Sequence, residues 1–153
     1  MHGHHYHWNL PTANLRSNSS DIEWLHSCPQ PIVDLVTTVK LSYADFRINR
    51  VVINGQTQGM DSGIHRDSIH ADAVTLLVYL NSEWSNKWGG GTRFFQNSES
   101  GLLLSYEQPF LPQKMVSYPS CYYHQGLGPL ISAKLRITMS IQLVSAKYTN
   151  QTD

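Results

Sequence analysis

Leu135-Arg-Ile-Thr-Met-Ser-Ile-Gln-Leu143 is the stretch from which the rest of the chain can be read. Its odd positions, Leu135, Ile137, Met139, Ile141 and Leu143, are all apolar, and its even positions are Arg136, Thr138, Ser140 and Gln142. Strict alternation is the signature of a strand with two unlike faces. The apolar face belongs to a core. The other face carries hydroxyls, an amide and one guanidinium. It either meets water, as one face of most antiparallel sheets does, or lines a barrel that holds a small polar anion.

Working outward, Ala73 to Asn81 shows a similar division, with Val74, Leu76, Val78 and Leu80 against Thr75, Leu77, Tyr79 and Asn81. Further strands are expected at Thr92 to Phe95, Leu102 to Tyr106, Lys114 to Tyr118, Cys121 to His124 and Lys134 to Val144. An earlier strand runs through Phe46, Ile48 and Val51 to Ile53 and is expected to end at Asn54-Gly55, where glycine breaks it. Short helices are expected from Ser20 to Cys28 and from Pro31 to Lys40, with Pro31 suited to a first helical position, and these should buttress a sheet. Short strands punctuated by Gly, Pro, Asn and Ser indicate a mainly β sandwich or barrel.

The chain has 153 residues, enough for one domain that buries roughly 68–70 % of its unfolded surface. Its core is expected at about residues 43–146, with residues 1–18 flexible. Eleven basic and eleven acidic residues leave no net charge and form no basic stripe, which weighs against tight nucleic-acid binding. Cys28 and Cys121 make no disulfide framework, and the start of the chain lacks the apolar segment of a secretory signal. A soluble, cytoplasmic protein with no membrane partner is the expectation. His2, His4, His5 and His7 crowd the first residues; a mobile tail that could take up metal adventitiously is the simpler reading.

The chemistry-bearing stretch is Gly63-Ile-His-Arg-Asp67. In an extended strand His65 and Asp67 point to one side, so an imidazole and a carboxylate can converge. They would supply two members of a 2-His-1-carboxylate facial triad for iron(II), which leaves three cis positions open. His124, in Tyr-Tyr-His-Gln-Gly at the end of a short strand, is the best third ligand; His26 and His70 compete with it. His70-Ala-Asp72 has the same spacing as the first pair, but Asp72 abuts the strand at Ala73 without a loop between, which favours His65 and Asp67. Trp84 and Trp88 fall in a glycine-rich stretch, Ser82 to Gly91, that reads either as a mobile loop at the site mouth, with Trp88 contacting substrate, or as a packed hairpin.

Taken in order, Gly-Ile-His65-Arg-Asp67, Thr75 to Asn81, Glu-Trp84, Gly89-Gly-Gly91-Thr92-Arg-Phe94, His124-Gln-Gly and Leu135-Arg136-Ile-Thr138-Met-Ser140 resemble the prolyl 4-hydroxylase-like branch of the iron(II)/2-oxoglutarate-dependent dioxygenases. The resemblance covers about Val51 to Leu143. It implies a double-stranded β-helix, the cupin-type jelly roll. It also implies iron(II) held by His65, Asp67 and His124, with 2-oxoglutarate and oxygen as cosubstrates, and it leaves room for ascorbate as an auxiliary reductant. Arg136 would bind the distal carboxylate of 2-oxoglutarate, Thr138 and Tyr79 would add hydroxyl hydrogen bonds, and Thr75 shares the face of Tyr79. Asn54 and Gln56 fall where relatives contact cosubstrate or substrate, although many prolyl hydroxylases carry a tyrosine there. The presence of Asp67 argues against a halogenase.

The implied reaction is hydroxylation of a C–H bond in a peptide or protein residue or a small molecule, yielding succinate and carbon dioxide. An oxidative nucleic-acid demethylase of the same superfamily and a non-catalytic jelly-roll binding module are the alternatives. Zero net charge and the lack of a second arginine shortly after Arg136 disfavour the first, and the complete ligand set disfavours the second.

Overall fold

A computed structural model describes residues 28–147. The histidine tract, His26, the expected helix from Ser20 and the tail after Lys147 lie outside the described residues. Helix α1 (Gln30–Ser42) carries Pro31 in its first turn, where a missing N–H is not needed. Seven strands follow: β1 (Phe46–Gln56), β2 (Ala73–Tyr79), β3 (Thr92–Ser98), β4 (Gly101–Gln108), β5 (Met115–Pro119), β6 (Tyr123–Gly126) and β7 (Arg136–Ser145). They form two antiparallel sheets, ordered β1-β7-β2-β5 and β4-β3-β6. A single bridge between His65 and His124 docks the Ser62–Asp67 segment on the free edge of β6. No helix among the described residues is long and apolar enough to cross a membrane.

The two faces of β7 have separate fates. Met139, Ile141 and Leu143 join Leu76, Val78 and Val51 in a core that α1 covers with Val36 and Val39. The hydrophobic core therefore sits outside the first sheet, and that sheet's inner face is free to be polar. Arg136, Thr138, Ser140 and Gln142 all line a cavity there, so the barrel-interior reading of that face holds over the solvent reading. Within the barrel a second apolar cluster of Leu77, Tyr79, Phe110 and Tyr118, flanked by Trp84 and Phe94, closes one flank.

β1 supplies the cavity's other wall. Its rungs with β7 pair Gln56 with Arg136, Asn54 with Thr138, Val52 with Ser140 and Arg50 with Gln142. The expected end at Asn54-Gly55 is corrected by this pairing: Gly55 lies opposite Ile137 and the strand continues to Gln56. Ladder hydrogen bonds to β7 outweigh the weak strand propensity of glycine there. A bulge between Ile48 and Arg50 inserts Asn49, whose side chain donates to Gln142 Oε1 at 2.8 Å. In an unbulged strand residues two apart share a face, so Ile48 and Arg50 would point the same way. With the bulge, Ile48 packs into the core while Arg50 lines the cavity.

Candidate metal centre

His65, Asp67 and His124 offer ligand atoms that all lie within 4.8 Å of one another. His65 Nε2 is 3.6 Å from Asp67 Oδ1, and His124 Nε2 is 3.7 Å from Asp67 Oδ2. Each separation can be bridged by one ion with bonds of roughly 2.0–2.2 Å. The bridge between His65 and His124 creates this convergence. Their backbones exchange hydrogen bonds of 3.0 and 2.8 Å, which sets the imidazoles side by side with centroids 4.3 Å apart.

Both rings are oriented by the same device. His65 Nδ1 lies 2.8 Å from the Gly63 carbonyl and His124 Nδ1 lies 3.0 Å from the Tyr122 carbonyl. A carbonyl can only accept, so each Nδ1 carries the proton and each Nε2 lone pair is left for a metal. Asp67 is held from several sides. Thr75 donates to its Oδ2 at 2.7 Å, the Tyr118 hydroxyl reaches the same oxygen at 3.3 Å, and the Gln142 amide donates to its backbone carbonyl at 3.0 Å. The Ser120 hydroxyl, 2.8 Å from that of Thr75, and the Ser120 carbonyl, which accepts from the Asp67 N–H at 3.0 Å, tie the ligand segment to the turn after β5.

The electrostatics follow from this packing. Contact with Asp67 raises the His65 pKa above the usual histidine value despite partial burial. Burial alone would raise the Asp67 pKa, but the contact with His65, the proximity of His124 and the Thr75 hydrogen bond hold it below the usual carboxylate value. For His124 burial prevails, and its pKa is lowered. Burial, followed by the charge of Asp67, pushes Tyr118 well above the usual phenol range, so it remains a donor. A carboxylate and two neutral imidazoles form a donor set that suits a divalent first-row metal.

Arg136 is 2 % exposed and lines the same cavity. Its Nε donates to the Gly90 carbonyl at 2.7 Å, Nη1 to Gln56 Oε1 and to Thr138 Oγ1 at 3.3 Å, and Nη2 to Thr92 Oγ1 at 3.2 Å. All four acceptors are neutral, and among the described residues no carboxylate pairs with it. Burial lowers its pKa to about 10, which leaves it cationic at neutral pH. The loop behind it is built around Gly90, at φ 78°, where an added Cβ would lie 3.0 Å from the Trp84 ring and 3.5 Å from Arg136 Cδ. A side chain there would crowd the Trp84 ring and sit in a backbone conformation that glycine alone adopts freely.

The cavity encloses about 380 Å³, within the roughly 300–1,000 Å³ typical of ligand pockets. Asn54, Thr138 and Gln56 line it with Arg136, His65, Asp67 and His124. The Tyr79 hydroxyl is 3.1 Å from Thr92 Oγ1 with its ring 5.8 Å from the Arg136 guanidinium, and Thr75 donates to Asp67; neither lines the cavity. His70 is exposed and does not join the ligand cluster. Trp84 stacks on Phe110 at 4.4 Å and donates from Nε1 to the Gly89 carbonyl at 2.8 Å, while Trp88 lies 3.8 Å from Lys134 Nζ. The stretch from Ser82 to Gly91 is thus a packed turn behind Arg136 and not a loop at the mouth. Trp88 does not line the cavity.

The sequence assigns no role to Tyr118, Thr92, Ser120 or Gln142, although Thr92 closes the Gly89-Gly-Gly91-Thr92 run and Gln142 stands on the polar face of β7. The face of Tyr118 follows from its strand once the barrel interior is known, and nothing local marks Ser120.

No protein-family model matches the chain, and no curated protein sequence does either. Among solved structures, it is similar to the non-heme alpha-ketoglutarate-dependent epimerase SnoN from nogalamycin biosynthesis, with TM-score 0.58 and 12 % identity over 80 % of this chain and 59 % of that one. A prolyl hydroxylase from Trichoplax adhaerens, solved with a hypoxia inducible factor peptide fragment, gives TM-score 0.51 and 17 % identity over 88 % of this chain and 60 % of that one. The carbocyclase SnoK, from the same nogalamycin biosynthesis, gives TM-score 0.51 and 11 % identity over 66 % and 50 %. At such identities the likeness establishes the jelly-roll fold. The chain spans 50 to 60 % of the length of these three proteins.

Proposed function

We propose that the protein is an iron(II)- and 2-oxoglutarate-dependent dioxygenase that hydroxylates a C–H bond of a peptide or protein residue or of a small molecule. The observation that carries this reading is Arg136, a buried guanidinium with only neutral partners facing the same cavity as the His65, Asp67 and His124 cluster. Burying a charge is costly unless it is compensated, so its retention beside three metal-type ligands points to an anion that also meets the metal. 2-Oxoglutarate has that chemistry, with one chelating end and one distal carboxylate. The structural neighbours named for alpha-ketoglutarate dependence support it.

Each residue then has a task. His65, Asp67 and His124 would hold iron(II), with both imidazoles presented through Nε2 by their backbone carbonyl acceptors. Arg136 would bind the distal carboxylate through its planar fork, and Thr138, 3.3 Å from its Nη1, would add a hydroxyl donor. Thr75 and Tyr118 keep Asp67 aimed at the ion. Val52 and Leu77 give the cavity apolar walls that limit water. Iron(II) with 2-oxoglutarate and oxygen supplies the oxidising power, one oxygen atom passing to the substrate as 2-oxoglutarate becomes succinate and carbon dioxide.

Anaerobic addition of iron(II) and 2-oxoglutarate should produce a visible metal-to-ligand charge-transfer band, and admitting oxygen should release succinate. Serine replacements at His2, His4, His5 and His7 remove competing ligands. The reading fails if the band is missing, or if His65→Ala leaves it undiminished.

A further inference from the structure

The wall formed by β1 and β7 has an arginine at each end, Arg136 opposite Gln56 and Arg50 opposite Gln142. Along β7 the backbone separation of Arg136 from Gln142 corresponds to about 20 Å, so the two arginines enter the cavity from opposite ends of the wall. Arg50 belongs to the metal end, because the Gln142 side chain on its rung donates to the Asp67 carbonyl at 3.0 Å. Its position is built: the Asn49 bulge turns it inward, and the Asn49 amide braces Gln142 at 2.8 Å. Arg50 lines the cavity, is exposed, and has no acidic partner among the described residues. Its charge reaches His65, whose pKa it opposes. Asp67 is the only carboxylate among the lining residues, and it is committed to the metal cluster.

Charge balance then identifies what is missing. A divalent ion, the Asp67 carboxylate, a dianionic oxoacid and the Arg136 guanidinium sum to zero, and among the lining residues Arg50 and Arg66 are left over. Arg66 also lines the cavity, but its guanidinium is drawn to 4.7 Å above the Tyr123 ring, and Tyr123, adjacent to His124 on β6, faces the opposite side of its sheet.

We propose, building on the reading of the site given above, that the oxidised substrate is a small oxyanion, a carboxylate or a phosphate ester, whose charged group is held by Arg50 next to the metal. A nucleic acid fits less well, since one arginine engages about one phosphate and the chain has no net positive charge.

The test is calorimetric, on the full chain loaded anaerobically with iron(II) and saturating 2-oxoglutarate, with phenylacetate, phenyl phosphate and phenylacetamide as probes. At least one acid should bind about tenfold tighter than the amide, as a charge-assisted hydrogen bond provides. Whichever acid binds tighter identifies the class. Arg50→Gln should bring the preference below about twofold, whereas Arg66→Gln should preserve it. The proposal is overturned by equal affinity for acids and amide, by an unchanged preference in Arg50→Gln, or by an equal loss in Arg66→Gln. Tighter binding of a single-stranded oligonucleotide, with a salt dependence of several phosphates, would overturn it as well. Repeating the titrations on metal-free protein keeps the two readings apart. Failure to bind 2-oxoglutarate strikes the dioxygenase assignment, while the acid preference and its dependence on Arg50 still decide this one.

Discussion

Arg136 shows how a single residue can be costly to the fold and necessary to the site. Its guanidinium is desolvated and hydrogen-bonded only to neutral acceptors, an arrangement that apolar replacement often relieves. Arg136→Met should therefore leave the melting temperature unchanged or raise it. The same change should weaken 2-oxoglutarate about 10- to 150-fold, the equivalent of about 1.5–3 kcal/mol for a charged hydrogen bond. Thermal denaturation and a 2-oxoglutarate titration on one preparation check both halves, and retained affinity would refute the carboxylate role. Tyr118 is the opposite case, a neutral group acting on a ligand. Its hydroxyl stands 3.3 Å from both Asp67 Oδ2 and His124 Nε2; once a metal takes the Nε2 lone pair, only the bond to Asp67 remains. Tyr118→Phe keeps the ring packed on Phe94, at 5.0 Å, and removes the donor. Metal affinity, measured against a chromophoric chelator, should fall about 10- to 100-fold, with little change in stability.

Among the elements, β7 was the most legible, because its alternation of apolar and polar side chains survives every packing constraint. What alternation could not decide was whether the polar face met water or a cavity, since both choices satisfy hydroxyls and amides. The answer came from α1, whose cover on the opposite face turns the sheet's polar side inward. β1 was less legible for two physical reasons. Glycine at position 55 imitates a strand end although the ladder to Ile137 carries on, and the bulge at Asn49 hides the change of phase that sends Arg50 inward. The roles of Tyr118, Thr92 and Gln142 are not legible in the sequence because each acts through a partner far along the chain. Deleting Asn49 makes Ile48 and Arg50 consecutive, so simple alternation still sends them to opposite faces, like their partners Leu143 and Gln142. The deletion and Asn49→Ala both lose the hydrogen bond to Gln142, and each should cost about 0.5–1.5 kcal/mol in urea unfolding. A loss several times larger in the deletion would show that the bulge itself holds the wall in register.

For the molecule as a whole, the site joins parts that the backbone leaves weakly connected. His65 and Asp67 come from a segment attached to β6 by a bridge, His124 from the second sheet, and Arg136 and Thr138 from the first. A metal would fasten the segment to β6, and 2-oxoglutarate would then extend from that metal to the opposite sheet. Stabilisation by binding follows mass action, about 2.7 kcal/mol at a hundredfold excess over Kd. For a chain of this size that corresponds to a rise of about 5–10 °C in melting temperature. The order of addition carries the information. Iron(II) alone, added anaerobically, should raise the midpoint in the wild type but not in His65→Ala. 2-Oxoglutarate should add a second rise only when the metal is present and Arg136 is intact, because each of its ends needs its own anchor. A cosubstrate shift that persists in Arg136→Met, or that appears without metal, would mean the two sheets are not linked through one bound molecule.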